Sequence, residues 1–361
     1  MKLGLKTIDR YIIRKFIGTY FFAILLIICI VIIFDISEKI DDFVSKKAPL
    51  DKIIFDYYLN FIPFFLNAFS SLFVFIAVIF FTSKMAYNTE IIAILSNGTG
   101  FLRMLFPYFI SASIIFTFSL TLNHFIIPQA NKVRLAFEDQ YINKPYRKQS
   151  LNLHLQVEPG IYLYISNFFH YNNRAENFSL ERFEKNRLQS KLVSEHATWD
   201  TTSGKWNLHN CFIRDIQDSA EIISAHQQLD TMVNFSAEEL RQRDSKIMAM
   251  NYFELSQFIK EQKMRGVKST AAVLEQYNRT SIPFSVFILT LIGVSLSSRK
   301  VRGGIGLQIG AGIALSFTYI LLLRFSEVFI QVGLATPPTA AWLPNLLFLI
   351  IAIMLYRTAP K

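Results

Sequence analysis

Six stretches of this chain carry no Asp, Glu, Lys or Arg and are long enough to cross a bilayer. They are Phe16–Phe34, Tyr57–Ser83, Met104–Asn131, Thr280–Ser298, Gly303–Leu323 and Val328–Tyr356, between 19 and 29 residues each. A helix rising about 1.5 Å per residue needs roughly 20 residues to span ~30 Å of hydrocarbon. Six transmembrane helices follow. Across 361 residues the chain is 52% hydrophobic and 18% charged, with 35 Phe, whereas a soluble domain is about a quarter charged. Disorder, a fibrous protein and a simple cytosolic enzyme are excluded. The longer runs include interfacial turns. Pro63 and Pro128 sit near run ends, and Pro337–Pro338 marks the start of the sixth helix.

The first run reads as a retained anchor rather than a signal peptide. Its apolar core exceeds the roughly 7–15 residues of a signal sequence, and Asp35, Ile36, Ser37 and Glu38 follow it in place of a small-x-small cleavage site.

Lys and Arg in short loops set orientation. Residues 1–15, the loop between helices two and three, the loop Arg299–Arg302 and the tail lie on one side if six helices alternate. Together they hold 12 basic and 2 acidic residues, while the rest of the chain balances at 25 and 25. The whole formal charge of +10 therefore lies on one face, expected to be cytoplasmic. The basic balance is a topology signal, and nucleic acid is discarded as a partner.

Residues 132–279 form a polar insertion of 148 residues, long enough for a folded domain. On this topology it lies outside the cytoplasm. Within 132–250, Ile161, Leu163 and Ile165 alternate with Tyr162 and Tyr164, the period of a half-buried strand. Trp199 and Trp206 flank Thr201–Thr202–Ser203–Gly204, a hairpin turn. Trp206, Leu208 and Phe212 continue the pattern imperfectly. Short strands at this spacing suggest a small all-β sandwich. Residues 251–279 change period. Asn251 is placed to cap a helix with Phe253, Leu255, Phe258 and Ile259 on one face, and Gly266 to end it. Thr270–Tyr277 is helical again and leads into the fourth span; residues 280–361 hold spans four to six. Cys29 lies in the first span and Cys211 in the insertion, so no disulfide is expected.

No catalytic constellation emerges. Gly303–Gly304–Ile305–Gly306, continuing to Gly310 and Gly312, lacks the Gly-Lys-Ser/Thr ending of a phosphate loop. Gly306 and Gly310 are four apart and read as a close helix contact. No His-Glu-x-x-His occurs, the six His are scattered, and no metal site or cofactor is expected. The spans hold no acid or base except His124, which argues against ion-coupled transport and for energy supplied by another chain. Arg324 and Glu327, three apart, are spaced to pair.

The most informative short motif is Asn88–Gly98, with residues 1–131 otherwise forming spans one to three. Asn88 or Thr89 can cap a short helix, Glu90 falls in its first turn, Ile91, Ile94 and Leu95 share a face, and Gly98 stops it. Such a helix either docks into a groove on a partner or lies on lipid headgroups.

These residues resemble a known family. The chain is similar, over its whole length, to the LptF/LptG permeases of the lipopolysaccharide transport ABC exporter: three spans, a large insertion, three spans. Ile8–Asp9–Arg10–Tyr11–Ile12 resembles the family's amino-terminal motif, and Thr89–Glu90–Ile91 through Asn97–Gly98 its coupling helix. Pro128–Gln129 falls where the third span leaves the membrane. Arg187–Leu188–Gln189–Ser190 resembles a periplasmic strand, and Pro337–Pro338 with Ala341–Trp342–Leu343–Pro344–Asn345 the start of the last span. The amino-terminal motif and the Asn251–Gly266 segment lean toward LptG.

The resemblance implies an α-helical membrane protein of six transmembrane helices with an inserted all-β, jellyroll-like periplasmic domain. It implies a second LptF-like half-permease, an LptB-like ATPase dimer docked on Glu90, Ile91, Ile94 and Leu95, and LptC/LptA-like periplasmic jellyroll proteins. Cargo would be lipopolysaccharide, entering sideways from lipid. An edge strand of the insertion could be extended by a partner strand. Lys39, Lys46, Lys47, Lys132 and Arg134 are candidates to hold lipid phosphates at the outer rim, with snorkelling as the alternative and Asp41 and Asp42 close by. A different class of reading is a membrane-anchored periplasmic sensor or mechanotransmission protein that moves no cargo.

Overall fold

The structure, a computed structural model, describes residues 6–142, 149–169, 172–185, 187–201, 203–217, 220–233, 235, 244–265, 269–299 and 304–359. The chain divides into two compact units. One comprises Met1–Ile142, Met248–Tyr252 and Thr270–Lys361, the other Asn143–Ile247 and Phe253–Ser269.

The first unit is helical. Its elements are α1 (Thr7–Ser45), α2 (Leu50–Lys52), a π-helical stretch Ile53–Tyr58, α3 (Leu59–Ala68), α4 (Ser70–Tyr87), α5 (Glu90–Ser96), α6 (Phe101–Thr121), a second π-helical stretch Leu122–Ile126, and α7 (Ile127–Tyr141). After the insertion come α10 (Thr270–Ser297), α11 (Gly304–Gln331) and α12 (Pro337–Thr358). Among the described residues, six helices are long and apolar enough to cross a membrane. The second run breaks at Phe69, between α3 and α4. Pro128 does not end the third helix. It has no N–H to give to His124, and the π-helical stretch just before it absorbs that missing bond. The helix therefore continues past Asn131 to Tyr141. Pro337 is the first residue of α12, with Thr336 as its N-cap.

Small residues let these helices approach, but not the pair the sequence points to. A Cβ on Gly306 or Gly310 would meet nothing within 4 Å. On Gly312 it would lie 2.2 Å from Ile79 Cδ1, and on Gly293 2.8 Å from Val78 Cγ1. The face of α11 that meets α4 is offset from the Gly306/Gly310 ridge, so close contact falls on Gly312 instead.

The second unit holds a six-stranded antiparallel sheet in the order of the chain. The strands are β1 (Gln149–Glu158), β2 (Ile161–Phe169), β3 (Arg174–Glu184), β4 (Arg187–Asp200), β5 (Lys205–Gln217) and β6 (Ala220–Thr231). The described strands thus form one meander rather than the two stacked sheets of a sandwich. Trp199 pairs with Trp206 across the β4–β5 hairpin, whose turn includes Thr202, outside the described residues.

Each of the five ladders skips one position across which register is kept, apart from separate irregularities at Gln156/Glu158 in β1 and Arg182/Phe183 in β3. The skipped pairs are Asn152/Ser166, Ser166/Asn177, Asn177/Glu195, Glu195/Asn210 and Asn210/Gln227. They form one straight line across the sheet. On alternate strands that line is occupied by Asn152, Asn177 and Asn210, with φ of 51°, 50° and 51°. Asn tolerates this left-handed conformation better than most residues. The residue parity facing the core changes at the line. In β2 the buried set passes from Leu163 and Ile165 to Phe168, and in β5 from Trp206 and Leu208 to Cys211. Phe212, expected to continue the β5 pattern, is instead 56% exposed. The sheet creases along this row and both halves share one core. Trp206 sits 6.3 Å from the Phe168 ring and 5.4 Å from Phe178, residues on opposite sides of the crease. Its Nε1 donates to the Phe235 carbonyl at 2.9 Å.

Two further helices follow the sheet, α8 (Asp244–Ala249) and α9 (Tyr252–Met264). In α9 Leu255 is buried with Phe258 and Ile259 half-buried beside it, while Phe253 points outward. Positions two apart on a helix face different ways, so Phe253 cannot share the Leu255 face. The expected stop at Gly266 lies outside the described residues. The Arg265 carbonyl accepts from Gln156 N at 3.3 Å, covering part of the β1 edge. β6 is exposed along most of its length. Cys29 and Cys211 are free thiols.

Candidate functional site

The α4–α5–α6 corner is built by two reversals. Thr89, ahead of α5, has φ +63°, and Gly98, after it, has φ +76°. Glycine suits the second position; threonine at the first is strained by roughly 1–2 kcal/mol. Neither Asn88 nor Thr89 caps α5 with its side chain. The left-handed turn aims the Thr89 hydroxyl back at the Asn88 carbonyl, to which it donates at 2.6 Å. Asn88 Nδ2 donates to Glu90 Oε1 at 3.3 Å.

Ile91, Ile94 and Leu95 do share a face, and that face is spent inside the chain. Ile91 is fully buried in a cluster with Ile12, Phe16, Met85, Phe101 and Met104, and Ile94 and Leu95 are half-buried against it. The outward side of α5 presents Ile92, Ala93 and Ser96. Ile92 was not signalled by the sequence, because the apolar spacing 91, 94, 95 defines only the inward stripe.

Glu90 is tied to the first helix: Tyr11 Oη donates to its Oε2 at 3.1 Å. Two residues earlier, Asp9 receives a bidentate pair from Arg103 at the start of α6, Nη1 to Oδ1 at 2.8 Å and Nη2 to Oδ2 at 2.6 Å. Asp9 also accepts from the Lys6 backbone N at 2.9 Å and is 1% exposed.

This arrangement sits in a chain whose residues 10–358 match the profile of one family, described as lipopolysaccharide export system permease LptF/LptG. The chain is a member of that family. No curated protein matches it. With its six apolar helices, it is a multi-pass inner-membrane permease for lipopolysaccharide export.

The remaining candidate cations of the permease are not bare. Lys39 Nζ donates to Asp35 Oδ1 at 2.6 Å and to the Tyr57 hydroxyl, and lies 4.8 Å from the Tyr57 ring centroid. Asp35 also accepts from the Tyr58 hydroxyl at 3.1 Å. Both tyrosines come from the first π-helical stretch. Arg134 lies 3.7 Å from Glu138 and 4.9 Å from the Phe64 ring. Lys132 lines an open groove of about 390 Å³ with Lys52, Asp56 and Phe137. Lys46 and Lys47 fall just after α1, where Lys47 takes φ +51°. Two of the five, Lys39 and Arg134, share one carboxylate, Glu138, whose charge both of them feel.

A second polar site escapes the charge-free-run criterion. Because α10 starts at Thr270, Glu275 and Arg279 belong to the same helix as the fourth span, and Arg279 is only 3% exposed. Arg279 Nε donates to Glu275 Oε1 at 3.1 Å. The pair borders a cavity of about 180 Å³ with Asn67, Asn123 and Tyr319. The i, i+4 spacing was the available signal, since such a pair lets two charges share a helix close to lipid. At the same end of α11, Arg324 Nη1 donates to Glu327 Oε1 at 3.3 Å.

Proposed function

We propose that this permease is one half of an ATP-driven extractor that lifts lipopolysaccharide from the inner membrane and passes it to a periplasmic bridge. In this reading an LptF-like half completes the membrane cavity, and this chain takes the LptG-like place. An LptB-like ATPase dimer, which carries the hydrolysis, docks on α5. The termini and the basic loops are cytoplasmic, and the creased sheet is periplasmic. LptC/LptA-like jellyroll proteins extend the exposed β6 edge by strand addition. The rim cations Lys39, Lys132 and Arg134 meet lipid phosphates.

The observation that carries this reading is the corner itself. A short helix is fixed by its apolar face to the ends of three spans, which leaves Ile92, Ala93 and Ser96 outward and Glu90 half-exposed at its start, held by Tyr11 and Asn88. A helix lying on lipid would turn its apolar stripe outward to the acyl chains; here that stripe is buried. The side left outward, Ile92, Ala93 and Ser96, is small and mixed in polarity, and suits a protein groove.

Co-purification from native membranes through a carboxyl-terminal tag tests it. Recovery of an ATPase dimer and a second six-span protein, with the ATPase lost on Glu90→Lys, is the expected result. A chain that purifies alone, or one indifferent to the charge reversal, refutes the docking assignment.

A further inference from the structure

The corner that fixes α5 also grips the first span, and the grip is polar on two flanks. Asp9 and Tyr11 are two residues apart on α1, roughly 200° around the helix at 3.6 residues per turn. One reaches α6 through Arg103, the other α5 through Glu90. Between them, Ile12 and Phe16 enter the cluster that buries Ile91. The Arg103 guanidinium also lies 5.1 Å from the Phe106 ring centroid. A bidentate Arg–carboxylate pair is directional as well as attractive, so it resists rotation where a single hydrogen bond would not.

Beyond this grip α1 packs along one stripe, through Tyr20, Ile24 and Phe43, and leaves its other side outward. Phe22 and Phe34 are 68% and 72% exposed. Further polar ties among the described residues are Tyr20 Oη to Ser70 Oγ at 2.7 Å and, further along, Asp35 and Lys39 to Tyr57 and Tyr58. A 39-residue helix is about 60 Å long. A small displacement at its first turn is therefore carried, as by a rod, to the far end where Lys39 sits.

We propose that Asp9 and Arg103 are positioning residues that transmit movement of the α5 corner to the first span, with Tyr11–Glu90 as the second contact of the same bracket. Neither residue touches cargo or nucleotide in this scheme. The inference rests on α5 being the ATPase-docking helix. It adds that α1, through Asp9, is the element α5 drives.

The test uses the complex purified with its ATPase and partner half, reconstituted in proteoliposomes containing lipopolysaccharide. Two quantities are read: ATP hydrolysed, and lipopolysaccharide released per ATP. Arg103→Ala is expected to keep the ATPase bound and its hydrolysis within about twofold of the unmodified complex, while release per ATP falls at least fivefold. Tyr11→Phe, which removes one hydrogen bond and little volume, is expected to lower the same ratio about twofold. The exchange Asp9→Arg with Arg103→Asp should recover at least half of the ratio lost in either single variant. A purely structural pair would lower the yield of assembled complex and leave the ratio per assembled complex unchanged. That outcome overturns the inference, as does a double exchange no better than the singles. If Arg103→Ala fails to assemble, Arg103→Lys and Tyr11→Phe decide by the same ratio. An ATPase that stays bound to the Glu90→Lys chain defeats the docking assignment instead, and so separates the two failures.

Discussion

The two units of this permease solve opposite problems with the same side chains. In the helical unit, large apolar residues such as Phe22, Leu25, Ile33 and Phe34 face outward, while Ser70, Ser71, Thr82, Ser111 and Asn345 are buried. In the sheet unit Trp206, Phe168 and Phe178 are fully buried and the outward positions are mostly polar. Lipid offers no hydrophobic drive between helices, so the helical unit coheres through small residues, close contacts and buried hydrogen bonds. Examples are Ser71 Oγ to Ser285 Oγ at 2.7 Å and Tyr319 Oη to Asn345 Oδ1 at 2.9 Å. Water supplies that drive to the sheet, which gathers around one tryptophan.

The largest effect that sharpens this contrast is expected at Trp206. Truncation to Ala should cost the sheet unit about 3–5 kcal/mol, as for a fully buried large aromatic. Limited proteolysis of the whole permease should then cut the insertion and spare the helical unit. Gly293→Val comes next. A Cβ there already meets Val78 Cγ1 at 2.8 Å, and overpacking of this kind costs about 1–3 kcal/mol. Thermal unfolding in detergent should show the loss, whereas Gly306→Val, with open space, should leave the midpoint in place. The crease predicts a third ordering. Asn210→Val should destabilise the sheet by roughly 1–2 kcal/mol through its positive φ, while Asn210→Gly should be near neutral in denaturant titrations.

The smallest effect is one of pH. Burial, with the charges of Arg174 and His209, holds His196 below the usual imidazole range. The folded sheet therefore resists protonation that the unfolded chain accepts near the ordinary value of about 6.5. This contribution to stability is intact above that pH and is lost as pH falls through and below it. Urea midpoints followed by tryptophan fluorescence should fall between pH 7.5 and 5.5, and fall less in His196→Gln.

Much of this architecture is legible in the sequence, for reasons that differ between the units. Run length alone finds helices that cross lipid, since charge is excluded wherever lipid must be met. It misses Arg279, because Glu275 one turn earlier shelters it. It also misassigns the small-residue contact to Gly306 and Gly310, since spacing cannot say which ridge of α11 meets α4; Gly312 does. In the sheet, alternation locates β2 and the Trp199–Trp206 hairpin but fails at Phe212. A single left-handed Asn210 moves the core position to Cys211, and local alternation carries no record of that change. At the corner, the stripe 91, 94, 95 is visible in sequence, but its direction is not. The bracket of Asp9, Arg103, Tyr11 and Glu90 joins residues up to 94 positions apart, and no local pattern brings them together.

The most direct test of the central claim is ATP-dependent release of lipopolysaccharide from proteoliposomes holding the purified complex, with a periplasmic jellyroll acceptor outside. Transfer to the acceptor is expected to require ATP and to be abolished by Glu90→Lys in this chain. Transfer that proceeds without ATP, or that survives the charge reversal with the ATPase still bound, would contradict that claim.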